Sequence, residues 1–211
     1  MNGHMKPADI EKRSFAIITE ELGGRTFPEG VAEVVKRVIH TSADFDYADN
    51  LCFSPDAVEQ AKAALEAGAT IVTDTNMALA GISKPTLAKL GGRAVCLMAD
   101  EAVAREAKER GVTRATVSME HAAKLDGPLI FAIGNAPTAL IRLHELIEEG
   151  AVSPALVIGV PVGFVNVVES KELFIGRDTP YIIARGRKGG SNVAAAIVNA
   201  LLYQIIKREG F

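Results

Sequence analysis

The 211-residue chain has no tryptophan, only three tyrosines and eight phenylalanines, and just two cysteines. With aromatics at 5%, the core must be built from small and branched aliphatic residues, among them 32 alanines that let helices sit close on a sheet. Cys52 and Cys96 lie outside any CxxC or Cys/His spacing. That excludes a disulfide scaffold and a cysteine metal cluster, and reads as free thiols in a reducing compartment. There is no run of about 18 apolar residues and no charged-then-apolar leader, so neither a membrane span nor a secretory signal is expected, and the protein is expected in the cytoplasm. Gly3-His4-Met5 reads as an expression scar over 1–4 with Met5 the natural start, and His4 is set aside on that ground. An excess of basic charge is also lacking. With 26 acids against 23 bases and a net charge of −3, nucleic-acid binding by whole-surface attraction is excluded, though a local basic pocket is not.

The nucleotide and hydrolase fingerprints are absent too. No GxGxxG follows a strand, and there is no GxxxxGK[ST], no GxSxG elbow and no HExxH; the run His144-Glu145-Leu146-Ile147-Glu148 lacks the second histidine. These gaps weigh against a dehydrogenase, an NTPase, a serine hydrolase and a zinc peptidase. No metal and no cofactor are expected.

What is present is a chain long enough to bury roughly 70% of its unfolded surface, which makes one self-sufficient domain over 1–211. Its first part reads as helices at 7–22, 28–41 and about 54–68, the last opened by Ser54-Pro55-Asp56 and closed by Gly68. From there, short apolar runs at 69–73, 93–98, 128–133, 155–160 and 181–184, with a weaker sixth at 113–117, alternate with helices at 86–90, 101–110, 119–125, 137–149, 167–174 and 192–207. The runs are continuous rather than alternating, the mark of strands covered on both faces. Repeated strand–helix–strand units predict a three-layer α/β/α fold: a mainly parallel, Rossmann-like sheet of five or six strands, with additional N-terminal helices.

In such a sheet, ligands bind beyond the carboxyl ends of the strands. The residues there are Asp74-Thr75-Asn76-Met77, Gly134-Asn135-Ala136-Pro137, Gly159 to Asn166, and Arg185-Gly186-Arg187-Lys188-Gly189-Gly190-Ser191. Glycine with a polar cap at a helix start favours an anion. Four such loops on one rim point to a polar ligand bearing carboxylates.

On the helix at 28–41, Val31, Val34, Val35 and Val38 define a buried stripe at i, i+3, i+4 and i+7. At 100° per residue His40 falls opposite that stripe, with Arg37 on its own side. It is solvated, or it faces a ligand or a partner chain. His144, among Leu140, Ile141, Leu143 and Ile147, reads instead as a core or interface residue, and His121 is undecided. Ser14 sits among Ile10, Ile17, Ile18 and Leu22; it either bonds back to the carbonyl of Ile10 or faces a ligand.

Taken together, Arg13-Ser14-Phe15-Ala16-Ile17, Arg37-Val38-Ile39-His40, Phe53-Ser54-Pro55, the run Ile133 to Leu140 (IGNAPTAL), Pro161 to Val165 (PVGFV), Glu169-Ser170-Lys171 and Arg185 to Ser191 resemble the precorrin-8X methylmutase family. That family includes the cobalt-precorrin-8 methylmutases of cobalamin biosynthesis, and the resemblance runs in order from about Met5 to the last helix. It implies an isomerase that moves a methyl group from C-11 to C-12 of a corrin macrocycle by a [1,5]-sigmatropic shift, giving hydrogenobyrinate, or cobyrinate when cobalt is in place. The family's proton-donating and proton-accepting histidine carries over to His40. Its substrate-contacting serine and arginine carry over to Ser14 and Arg37, and a further arginine to Arg114. The 74–77 loop fits the family at Asp74 and Met77, whereas Ser83-Lys84 departs from it where another basic residue is usual.

With the rim residues Asn135, Gly163, Arg187, Gly190 and Ser191, these make up the expected substrate-binding set. Arg185 and Lys188 are further candidates for meeting carboxylates. The resemblance also implies a homodimer with the site near the subunit interface. The alternative is a non-catalytic carrier of tetrapyrroles or anions, which would have the same rim and no use for His40. A nucleotide-dependent transferase is weaker still, for want of phosphate loops.

Overall fold

The computed structural model describes residues 7–207; His4 and the expected start at Met5 lie outside the described residues. The chain opens with three helices, α1 (Pro7–Leu22), α2 (Val31–Ser42) and the single turn α3 (Tyr47–Asn50), before strand β1 (Leu51–Phe53) and helix α4 (Ala57–Glu66). The alternating part follows: β2 (Thr70–Thr73), α5 (Asn76–Gly81), α6 (Lys84–Lys89), β3 (Arg93–Cys96), α7 (Glu101–Arg110), α8 (Arg114–Ala122) and β4 (Leu129–Ile133). It closes with α9 (Pro137–Glu148), β5 (Leu156–Gly159), α10 (Val167–Glu172), β6 (Tyr181–Ala184) and α11 (Ser191–Ile205).

The six strands form one sheet in the order β1-β6-β5-β4-β2-β3. All neighbours run parallel except β1, which pairs antiparallel with β6 through Leu51–Ala184 and Phe53–Ile182. Alternate residues feed two cores. Ile130, Ala132, Ile158 and Ile182 face one that includes residues of α2, α4 and α11, while Phe131, Ile133, Val157 and Ile183 face one that includes residues of α8 and α9. This is why the strands read as unbroken apolar runs. Both faces are covered, so polar alternation would bury unpaired groups.

Two expectations are corrected. The weaker sixth strand at 113–117 is the start of α8: the Thr113 hydroxyl accepts the Thr116 N–H at 3.1 Å, an N-cap that outweighs the β-branched residues around it. The sixth strand is β1, between the helices expected at 28–41 and about 54–68. The cysteines lie on β1 and β3, the two edges of the sheet. Five strand spacings separate them by ~24 Å, far beyond the reach of a disulfide.

Candidate active site

The sheet reverses its winding between β2 and β4, since the chain leaves β2 towards β3 and leaves β4 towards β5. A crevice opens at such a reversal beyond the strand ends. Here the protein fills it itself. Asp74, 1% exposed, accepts the backbone N–H groups of Gly134 (2.8 Å), Asn135 (2.8 Å) and Ala136 (2.6 Å) with its two oxygens. Burial pushes its pKa above the usual carboxylate value, while the three amide hydrogen bonds pull the other way. The anion position expected ahead of α9 therefore holds the chain's own carboxylate, and Asp74 lies under the rim rather than on it.

The loop after β6 closes over the same point. Ser191 Oγ is 2.7 Å from Thr75 Oγ1, which caps α5 by accepting the Ala78 N–H. A Cβ on Gly134 would stand 2.7 Å from the Cα of Ser191, and one on Gly189 only 2.0 Å from the carbonyl oxygen of Val160. No larger residue fits either place without moving backbone. α11 begins at Gly190 without a side-chain cap, and no side-chain carboxylate meets the amides leading into it as Asp74 meets those before α9.

That open end of α11 borders a cleft of about 510 Å³ between α1, α2 and α11, lined by Glu11, Arg37, His40, Asn192, Asn199 and Tyr203. His40 lies on the exposed side of α2, opposite the valine stripe, as its phase predicts. Its ring stacks on Phe15 of α1 with centroids 5.2 Å apart. Arg37 pairs with Glu11, and its guanidinium lies 4.6 Å from the centre of the Phe15 ring and 5.3 Å from that of Tyr203. On the other flank of His40, a groove of about 290 Å³ holds Ser14, Ile17, Ile39 and Phe45. There Ser14 Oγ bonds back to Ile10 O at 3.0 Å, the local bond its position in α1 allows.

The remaining candidates are spread along the rim and beyond it. Met77, 71% exposed, stands on α5, whose last residue, Gly81, lines the His40 cleft. Gly163 donates its N–H to Arg187 O at 3.1 Å, and the Arg187 guanidinium lies 5.3 Å from the centre of the exposed Phe164 ring. Lys188 is held by Asp44 and Asp46, each at 2.6 Å, and Arg185 by Glu172 at 3.3 Å. The Lys188 hydrogen bond holds the Asp44 carboxyl below its ordinary range. Asn135 is exposed on the rim. Arg114 stands apart from the His40 cleft: it opens α8, on the side of the sheet opposite α2, where Thr113 reaches Thr138 of α9 at 3.0 Å.

Of the two other histidines among the described residues, His121 pairs with Glu106 at 2.8 Å and His144 sits edge-on to Phe174. Sequence reasoning passed over Glu11 and Tyr203, which reach Arg37 from opposite parts of the chain. It also passed over the burial of Lys171. Val167, Ser170, Lys171 and Phe174 follow i, i+3, i+4 and i+7, and all four are buried; that spacing was the available signal.

Fold and site define a doubly wound α/β protein with an exposed histidine at a cleft that the Arg37–Glu11 ion pair and the first turn of α11 also line. The family model for precorrin-8X methylmutase matches residues 9–204. A cobalt-precorrin-8 methylmutase of Salmonella typhimurium is 48% identical over 208 residues, covering 95% of this chain and 96% of its own. One from Priestia megaterium is 45% identical, covering 93% and 88%, and a precorrin-8X methylmutase of Pseudomonas aeruginosa is 43% identical, covering 91% and 93%. The crystal structure of a precorrin-8X methylmutase from Thermus thermophilus superposes with a TM-score of 0.84 at 40% identity, covering 92% of this chain and 95% of that one. The chain belongs to the precorrin-8X methylmutase family, and it is an isomerase of the intramolecular methyl-transferring kind.

Proposed function

We propose that this chain moves the methyl group at C-11 of precorrin-8X, or of its cobalt-containing form, to C-12, giving hydrogenobyrinate or cobyrinate. The observation that carries the reading is the placement of His40: exposed, braced by Phe15, and open to the cleft that Arg37 and the start of α11 share. His40 lends a proton to the macrocycle, the methyl group shifts within the same conjugated ring, and His40 takes the proton back. Histidine suits this task because it exchanges protons near neutral pH. No atom is gained or lost, so no carrier for the methyl group enters the balance. Arg37, Arg187 and the first turn of α11 from Ser191 receive the substrate's carboxylates, the Gly190 N–H being given to Val160 O, with Ser14 on the second flank of the histidine. Asn135, Gly163 and Met77 border the same rim, and Asp74 holds its floor.

The enzyme acts as a homodimer whose sites are completed across the interface. Two observations support this. Arg114 lies across the sheet from His40, and Val162, Phe164 and Val165, at 50%, 79% and 78% exposed, form an apolar stretch on the rim that a second subunit or the macrocycle would cover. Among the described residues no helix is long and apolar enough to cross a membrane, which agrees with a cytoplasmic enzyme.

The test is His40→Ala. This variant is expected to bind hydrogenobyrinate, followed by its absorption spectrum, and to have lost rearrangement of precorrin-8X. Unchanged turnover would rule out the proton-transfer role, and wild-type protein that binds corrinoid without rearranging it would establish a carrier.

A further inference from the structure

Lys171 of α10 is wholly buried, at 0% exposed. Its Nζ donates to Gly186 O at 2.7 Å and to Lys188 O at 2.9 Å, two main-chain carbonyls of the loop between β6 and α11. Among the described residues no carboxylate pairs with it, and the adjacent Glu172 turns to Arg185 instead. A buried ammonium without a counter-charge is costly, and an apolar side chain of similar volume would fill the space more cheaply. What the ammonium does here is set the shape of a loop.

Between β6 and α11 the backbone has no strand or helix to define it, and carbonyls two residues apart are drawn to a single point beneath it. The intervening Arg187 is thereby turned outward to Phe164, its own carbonyl is left to accept the Gly163 N–H, and Gly190 is brought to donate to Val160 O at 2.8 Å. From Gly190 the chain enters α11, whose Asn192 lines the His40 cleft. The positive charge of Lys171 also lies directly under the surface on which carboxylates would rest, where low dielectric lets it act through the loop.

We propose that Lys171 is a positioning residue for substrate carboxylates, shaping the loop from Arg185 to Gly190 so that Arg187 and the start of α11 face the ligand together. The proposal rests on the corrinoid reading above and names how that same site recognises its substrate.

The experiment compares wild type with Lys171→Met, Arg187→Gln and the double variant, using precorrin-8X turnover and absorbance titration with hydrogenobyrinate. Lys171→Met is expected to raise KM and the product's Kd about tenfold, with a smaller change in kcat, the pattern of lost binding rather than lost chemistry. Because Lys171 acts through the loop that carries Arg187, the double variant is expected to bind no more than about twofold worse than the weaker single variant. A wild-type KM in Lys171→Met, a loss confined to kcat, or additive losses in the double variant would each overturn the proposal. Where Lys171→Met does not fold, Lys171→Gln, which keeps an amide donor for one carbonyl, must show the same KM-weighted loss, and a wild-type KM in it overturns the proposal equally. Wild-type protein that neither binds nor rearranges corrinoid overturns the functional reading and this proposal with it; a working wild type beside an unaffected variant overturns this proposal alone.

Discussion

The imidazole of His40 and the ring of Phe15 are stacked 24° from parallel, and the guanidinium of Arg37 lies over that same phenylalanine. One aromatic side chain of α1 thus braces both His40 and Arg37 of α2. Such contacts contribute roughly 0.5–1.5 kcal/mol each. Phe15→Ala is expected to lower kcat about tenfold while shifting the urea midpoint little, because Phe15 is only half-buried. Steady-state kinetics beside a denaturation curve check this.

Asp74 satisfies three amides that the start of α9 would otherwise leave unpaired. Asparagine at 74 offers one acceptor oxygen and turns an NH₂ group towards N–H donors. Asp74→Asn is expected to cost about 2–3 kcal/mol of stability. Urea titration measures it, and a cost near zero would show that the loop holds without the carboxylate.

The pH dependence of stability carries the signature of Lys171. Burial pushes its pKa down from the ordinary 10.5 to about 8. Between those values the unfolded chain binds the proton that the folded chain has lost, so this group makes stability rise with pH, by up to about 3 kcal/mol from pH 8 to pH 10.5. Below pH 8 both states are protonated and the cost of burying the charge is fully present. Tyr47, whose pKa burial raises, acts in the opposite sense above its ordinary value. The difference between wild type and Lys171→Met, measured by urea midpoints across this range, isolates the lysine and is expected to shrink the upward slope.

The position of Arg114 makes the dimer testable. In a heterodimer of one His40→Ala subunit and one Arg114→Ala subunit, sites completed across the interface leave one pair intact and the other doubly altered. Purified through two different tags, that heterodimer is expected to recover about half the wild-type activity, whereas either mutant homodimer is nearly inactive. If both residues of a site come from one chain, the heterodimer stays inactive.

A wider lesson concerns the loop glycines. Gly134 and Gly189 stand where the loops after β4, β5 and β6 meet backbone to backbone, and a methyl group on either would strike main-chain atoms of a segment distant in sequence. Gly134→Ala is expected to destabilise the fold by roughly 1–3 kcal/mol and to weaken hydrogenobyrinate binding together with it, as paired denaturation and binding measurements would show.

The sequence by itself determined the layers of the sheet, because continuous runs such as Leu129–Ile133 and Tyr181–Ala184 can be satisfied only between two helical layers. It determined the outward phase of His40, since the valines of α2 recur at the helical period, and it carried the family resemblance in two unbroken blocks. The tertiary structure decided the rest. β1 is three residues long, too short for a period, and becomes a strand because β6 supplies its hydrogen-bonding partner. Asp74 meets amides about 60 positions away, Glu11 meets Arg37 across two helices, and Lys171 is buried beneath a loop that it holds from below. Each of these is a polar group whose partner is set by where the chain returns, and local periodicity records which face a residue takes but not what will be waiting there.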